Sequence, residues 1–155
     1  MSKRIKYSVG DVFAVDLGDA LKGYGRILKI DEPSLFIELF KVSPKHEQTL
    51  ETLANSESIL SIWCSNHGIT KDIWSIIGSI SVKGEVQIPD FWKRDAFNPN
   101  RIILVKGEHA FEETEEENSY EVAQDKIKDA QPYGIFGHDA VKMRYEHELK
   151  QQGLL

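Results

Sequence analysis

The chain has 155 residues, 41% of them hydrophobic, with 7 Phe, 5 Tyr and 3 Trp and a formal charge of −6 at pH 7. A chain of this length buries roughly 68–70% of its unfolded surface, so it needs no metal or disulfide staple, and its one cysteine, Cys64, excludes an internal disulfide. No apolar run approaches the roughly 18 residues of a membrane span, and the acidic balance argues against broad nucleic-acid affinity, which depends on many Lys and Arg contacts to phosphate.

The basic start, Met1 to Lys6, leads into an alternating pattern and not into an apolar signal core. With a lone thiol suited to a reducing compartment, the expectation is one domain over residues 1–155 in a soluble, cytoplasmic protein. Asp11 to Leu17 alternates, with Phe13, Val15 and Leu17 on one face, which is the period of a half-buried strand. Gly18 to Gly23 is rich in turn formers and reads as a hairpin loop. A second strand runs from Tyr24 to Ile30, and Asp31-Glu32-Pro33 punctuates before a third, Leu35 to Val42. Short loops between sequential strands imply an antiparallel meander, since parallel neighbours need long crossovers.

Ser43 is placed as the N-cap of a short helix with Pro44 at its first position. Leu50, Leu53 and Ala54 would be its buried stripe and Asn55 its end. Ile59 to Cys64 and Trp74 to Val82 have strand character, separated by the turn signal Ser65-Asn66-His67-Gly68. Pro89 and Pro99 bracket a loop carrying Phe91, Trp92 and Phe97, and Arg101 to Lys106 reads as a central strand. Glu108 to Glu121 holds seven glutamates, which repel and stay solvated. Ser119 to Ala130 has weak helical spacing, with Val122, Ala123 and Ile127 in phase. From His138 to Lys150, Val141, Tyr145 and Leu149 fall on one face of an amphipathic helix, with a Glu146–Lys150 pair and Gly153 just past the stop. Strands come first and helices late, an α+β order. The fold expected is a strongly bent antiparallel sheet or small, partly open β-barrel, with this C-terminal helix and one or two short ones. Strand glycines such as Gly25 and Gly78 would serve its bends.

Chemical motifs are scarce. Gly23-Tyr24-Gly25 could open a dinucleotide fingerprint, but the third glycine position is Leu28 and a strand follows where a helix is required. The physical alternative is a bulge or close backbone approach, with Tyr24 supplying a ring to pack and a hydroxyl to satisfy. Cys64 and His67 offer two ligands where a structural zinc site needs four. His147-Glu148 begins like a zincin motif, yet position 151 is Gln. His46, His109 and His138 are dispersed, and Cys64 reads as a small buried hydrophobe before it reads as a nucleophile. These residues assign no catalytic, cofactor-binding or metal-binding group. Two stretches suit a partner: Trp92, within Phe91-Trp92-Lys93-Arg94, and the acidic run Glu112, Glu113, Glu115, Glu116 and Glu117, which would steer a basic protein.

Four stretches together resemble the Immunity protein 26 family of bacterial polymorphic-toxin systems. They are Gly10-Asp11-Val12-Phe13-Ala14, Gly23-Tyr24-Gly25-Arg26-Ile27, Trp74-Ser75-Ile76-Ile77-Gly78, and Tyr133-Gly134-Ile135-Phe136-Gly137 before a helix with Arg144. The likeness runs from Gly10 to Leu149. It implies an immunity protein that binds and neutralises a cognate toxin by stoichiometric occlusion, without catalysis or cofactor, with a basic nuclease domain as one candidate toxin. It also implies that Gly10, Asp11, Phe13, Gly23, Tyr24, Gly25, Arg26, Trp74 and Gly78 shape the fold. An adaptor that binds a peptide or nucleic acid through Tyr24, Arg26 and Trp92 is the alternative, and a small hydrolase using carboxylates or Cys64 a third reading.

Overall fold

The computed structural model describes residues 5–95, 97–106, 119–123 and 130–155. These divide into two compact units, Met1–Gly84 with Ile135–Leu155, and Glu85–Gly134.

In the first unit, β1 (Asp11–Gly18), β2 (Leu21–Asp31) and β3 (Ser34–Phe40) form a meander. α1 (Leu50–Ala54), β4 (Ser58–Ser65), α2 (His67–Thr70) and β5 (Ser75–Ser79) follow, and α3 (His138–Gln151) ends the chain. The strands make one antiparallel sheet in the order β4-β3-β2-β1-β5. The fold is α+β and the sheet is open, with β4 and β5 at its edges. Its register shifts between Val12 and Phe13, Asp16 and Gly18, Ile27 and Lys29, and Leu39 and Phe40. Each such shift adds local twist, so the sheet bends. The edge of β4 is partly covered: Ser65 N–H donates to Phe136 O at 2.9 Å and Phe136 N–H to Trp63 O at 3.0 Å.

Several boundaries differ from the sequence expectation. The first hairpin loop is only Asp19-Ala20, with φ of 51° and 62°, so Gly23 lies inside β2 and not in the loop. Positive φ at both central residues is the primed turn that matches strand twist. Ser43-Pro44 starts no helix. The capping position is Thr49, whose Oγ1 accepts from Thr52 N–H at 3.1 Å while Thr52 Oγ1 accepts from Thr49 N–H at 2.9 Å. That reciprocal box satisfies two orphan donors at once. It leaves Leu53 buried, Leu50 half-buried and Ala54 exposed. The turn after β4 continues into the four residues of α2, and strand pairing of the Trp74 segment stops at Ser79.

Alternation along the strands builds two faces. Phe13, Val15, Ile27, Leu35, Ile37, Leu39, Leu60, Ile62 and Cys64 form the main core with Val141, Tyr145 and Leu149 of α3. Those three helix residues are fully buried, as their spacing predicts. Burying one such side chain stabilises by about 1.5–3 kcal/mol, which holds a helix whose other faces are polar. Its nearby ion pair is Lys142–Glu146 at 3.9 Å, not Glu146–Lys150. Val12, Tyr24, Phe40, Val42 and Leu53 form a smaller cluster with Ala14, Leu50 and Ile80.

Tyr145 reaches from α3 to the sheet. Its hydroxyl donates to Phe40 O at 2.7 Å and accepts from Tyr24 N–H at 3.2 Å, where β2 and β3 part. Its ring occupies the space a Cβ on Gly23 would need. On the next inward position, a Cβ on Gly25 would lie 2.5 Å from the Phe13 ring and 2.8 Å from Glu38 O.

The second unit is a three-stranded antiparallel sheet, β6 (Phe91–Arg94), β7 (Ile102–Val105) and β8 (Ser119–Val122), with β7 central as expected. Phe91, Ile102 and Val105 are buried. The weak helical spacing of Ser119 to Ala130 is overridden at Ser119–Val122, which pairs with β7 from Val105↔Ser119 to Ile102↔Val122. Positions 124–129 lie outside the described residues.

Tyr145→Phe should destabilise the protein by about 1–3 kcal/mol, because a buried strand carbonyl and N–H lose their shared partner. Urea denaturation at neutral pH measures it. Gly23→Ala should be at least as damaging, since overpacking costs about 1–3 kcal/mol and the phenol ring has no room to retreat.

Candidate functional site

Gly10, Asp11, Phe13, Gly23, Tyr24, Gly25, Arg26, Trp74 and Gly78 lie in or directly beside β1, β2 and β5. Gly10 takes φ +95° and links two strands, its N–H donating to Ile27 O at 2.8 Å and its carbonyl accepting from Ile80 N–H at 2.9 Å. Asp11 Oδ2 accepts from Ser8 N–H at 2.9 Å and closes the preceding turn. Trp74 stacks on Phe13 with ring centroids 4.9 Å apart and planes 13° from parallel. Gly78 lies against Leu50, whose Cδ1 would be 2.5 Å from an added Cβ. Each of these contacts is made within the first unit.

Tyr24 and Arg26 share the face opposite α3. Arg26 stands across from Glu38 in the β2–β3 register. Its Nε and Nη2 donate to Glu38 Oε2 at 3.0 and 2.8 Å, and its Nη1 reaches Ile80 O and Ser81 O at 3.4 Å. Ser58 Oγ donates to Glu38 Oε1 at 2.7 Å, so both carboxylate oxygens are engaged. With side-chain exposures of 19% and 9%, Arg26 and Glu38 are an internal tie across β2, β3, β4 and the segment after β5. Glu38 is the residue the sequence reading missed. Its signal was present: a lone carboxylate in Ser34-Leu35-Phe36-Ile37-Glu38-Leu39-Phe40, buried throughout, requires a cation beside it.

Next to this tie lies a groove. Two adjoining hollows of about 310 and 300 Å³ share Lys22, Tyr24 and Glu47. Pro44, Lys45 and His46 wall one end, and Leu50 and Ile77 the other. The β1–β2 hairpin supplies one bank and the loop leading to α1 the other. The tyrosine ring gives an apolar floor, while Lys22, Lys45 and Glu47 give a rim of both signs. Such a surface suits recognition of a mixed polar and apolar partner. A third hollow of about 300 Å³ lies between β1 and α3, lined by Val15, Asp16, Ile73, Trp74, His138 and Lys142 among others.

The other candidates fall apart or lie elsewhere. Cys64 is buried in the main core while His67 is exposed on α2. Burial pushes the Cys64 thiol well above its ordinary value, and burial does the same to the Tyr145 phenol against the opposing hydrogen bond from Tyr24. Among the described residues, no three His, Cys, Asp or Glu side chains converge as a metal site. Among them, too, no helix is long and apolar enough to cross a membrane. Trp92 is half-buried in β6, its N–H donating to Gln131 O at 3.0 Å and its carbonyl accepting from Tyr133 N–H at 2.7 Å. Glu112, Glu113, Glu115, Glu116 and Glu117 lie outside the described residues.

The family model for Immunity protein 26 matches residues 8–102. The chain belongs to the Immunity protein 26 family. The matched span of this family member holds all five strands of the open sheet, the Arg26–Glu38 tie and the groove. Tyr133–Gly137 and α3 lie beyond it. No curated protein and no solved structure matches the chain.

Glu38→Ala should cost about 3 kcal/mol, since removing one partner strands the other charge in a largely dry site; the urea midpoint measures it. The thiol and phenol set a pH dependence with a definite sign. Both are raised in the folded state, so the unfolded chain loses protons first and stability falls as pH climbs past the ordinary thiol value of about 8.5 and then the phenol value of about 10. Urea midpoints at pH 7, 9 and 10.5 should fall in that order, less steeply in Cys64→Val.

Proposed function

We propose that this chain protects a bacterial cell by binding a cognate protein toxin stoichiometrically and covering its active site or a surface essential to it. The match to the Immunity protein 26 family over residues 8–102 carries this reading. The protein acts in the cytoplasm and performs no reaction of its own. Occlusion of this kind needs a rigid, complementary surface and buries about 1,200–2,000 Å² in total. The groove around Tyr24 supports it, offering an apolar floor with charges at the rim.

The acidic run from Glu112 to Glu117 and Trp92 are proposed as further contacts, and the toxin as a basic nuclease domain. The chain's charge of −6 supports attraction to a surface that must itself attract phosphate. Charges of this kind act mainly on association rate and fade with salt.

Co-expression with the toxin domain encoded in the adjacent reading frame is the direct experiment. Cells carrying both should grow, and the two proteins should elute together at one-to-one stoichiometry. Continued killing in the presence of folded, soluble protein would refute the reading. Reversing Glu112, Glu113, Glu115, Glu116 and Glu117 to lysine should slow association about tenfold or more at low salt and flatten its salt dependence, as read by stopped-flow fluorescence.

A further inference from the structure

Tyr24 is packed like a core residue, yet its polar end is left open. It is only 5% exposed, clustered with Val12, Phe40, Val42 and Leu53. A tyrosine buried this far ordinarily gives its hydroxyl a partner. The Tyr24 hydroxyl makes no hydrogen bond among the described residues, and it is not sealed from solvent. The residue lines both adjoining hollows of the groove, which is where a partner can reach it.

The groove has two unlike ends. Lys45 and His46 stand at one, Leu50 and Ile77 at the other, and Ile77 is 44% exposed. Lys22, Tyr24 and Glu47 lie between and belong to both hollows. Lys22, Lys45 and Glu47 make no ion pair among the described residues. Even Asp16, across from Lys22 in the β1–β2 register, accepts instead from Gly18 N–H at 2.8 Å.

The two banks are tied through the backbone. Lys22 N–H donates to the carbonyl of buried Pro44 at 3.4 Å, and His46 N–H to Ser43 O at 3.3 Å. A groove fixed in this way meets part of the ordering cost of an interface during folding. Hollows of about 310 and 300 Å³ fall within the roughly 300–1,000 Å³ range of ligand clefts.

We infer that the groove holds an extended segment of the cognate toxin, with a carboxylate side chain between Lys45 and Lys22 and an apolar side chain against Leu50 and Ile77. Between those two, the Tyr24 hydroxyl donates to a main-chain carbonyl and Glu47 accepts from a main-chain N–H. This rests on the immunity reading above and names the chemistry that its groove recognises. Each open group then gains its complement: the lysines an anion, the aliphatic end an aliphatic, the hydroxyl an acceptor. The contact asks for a single carboxylate, which a basic protein also carries. Nucleic acid is disfavoured, because two lysines neutralise few phosphates while Glu47 and a chain charge of −6 repel them. A second copy brings the same −6 and is repelled likewise.

The test is calorimetry of the full chain against the toxin domain of the adjacent reading frame, inactivated by mutation. Tyr24→Phe should melt within about 2 °C of the parent, since the lost hydroxyl bonds nothing in the chain. It should nevertheless bind at least about threefold more weakly. Lys22→Glu with Lys45→Glu should bind at least about thirty-fold more weakly, and less so at high salt. Among overlapping peptides from the toxin, those retained by the parent should carry a carboxylate near an apolar residue. Either variant binding within about threefold of the parent would overturn the groove assignment while leaving the immunity reading intact. A parent chain that fails to bind the toxin would remove both. A single-stranded oligonucleotide retained by the parent but not by the double variant would give the groove to nucleic acid. Self-association of the parent that the double variant loses would give it to a second copy, and either result overturns the toxin assignment.

Discussion

The seating of Tyr145 on Gly23 joins the end of the first unit to its beginning. The hydroxyl bridges Phe40 and Tyr24, 105 and 121 residues earlier in the chain. A leucine in its place would bury comparable area but leave the parting ends of β2 and β3 with unmet backbone groups, whose desolvation is costly. A tyrosine with any side chain at position 23 would not fit. The helix therefore needs the glycine, and the strand ends need the hydroxyl.

This arrangement explains Gly23-Tyr24-Gly25 as one device. Side chains along a strand alternate between faces, so positions 23 and 25 point toward α3 and Phe13 while position 24 points toward the groove. Both inward positions are closed to a Cβ by neighbouring rings, and by the Glu38 carbonyl at position 25. The outward position carries a large ring that floors a hollow. A phosphate-binding turn would have required the two glycines to lie in a loop before a helix. They lie in a strand, where small size is what counts.

Much of this was legible because it was periodic. The 3.6-residue spacing of Val141, Tyr145 and Leu149 marked the buried face of α3, and the two-residue alternation of Phe13 and Val15 marked the core face of β1. Where the reading went astray, a side-chain bond or strand pairing outweighed local preference. Ser43-Pro44 has the composition of a helix start, but the reciprocal Thr49–Thr52 bonds form the cap six residues later. Ser119–Val122 has weak helical spacing, but β7 offers a ladder. The candidate site was harder to read for a physical reason. A groove made by Lys22, Tyr24 and Glu47 depends on which loop crosses which hairpin, and no spacing along the chain encodes that.

The Arg26–Glu38 tie and the groove divide the sheet's second face into different kinds of polar surface. In the tie, every charge has its partner within the chain, and the carboxylate accepts from Arg26 and Ser58 together. Buried pairs of this sort add little net stability over a hydrophobic replacement, but they penalise any register that separates them. A one-residue slip of β2 on β3 would turn Arg26 to the opposite face and leave Glu38 buried alone. The groove rim has the reverse character, with Lys22, Lys45, His46 and Glu47 all exposed. Substitutions there disturb neither the Tyr145 contact nor the Arg26–Glu38 pair, so their effect on folding is confined to the small range of surface changes, about ±0.5 kcal/mol. A scaffold with that separation can change what it recognises without changing how it stands. On the proposed reading this is what a stoichiometric inhibitor needs: its rim chemistry must follow its toxin, while its inward glycines and rings must stay where the helix put them.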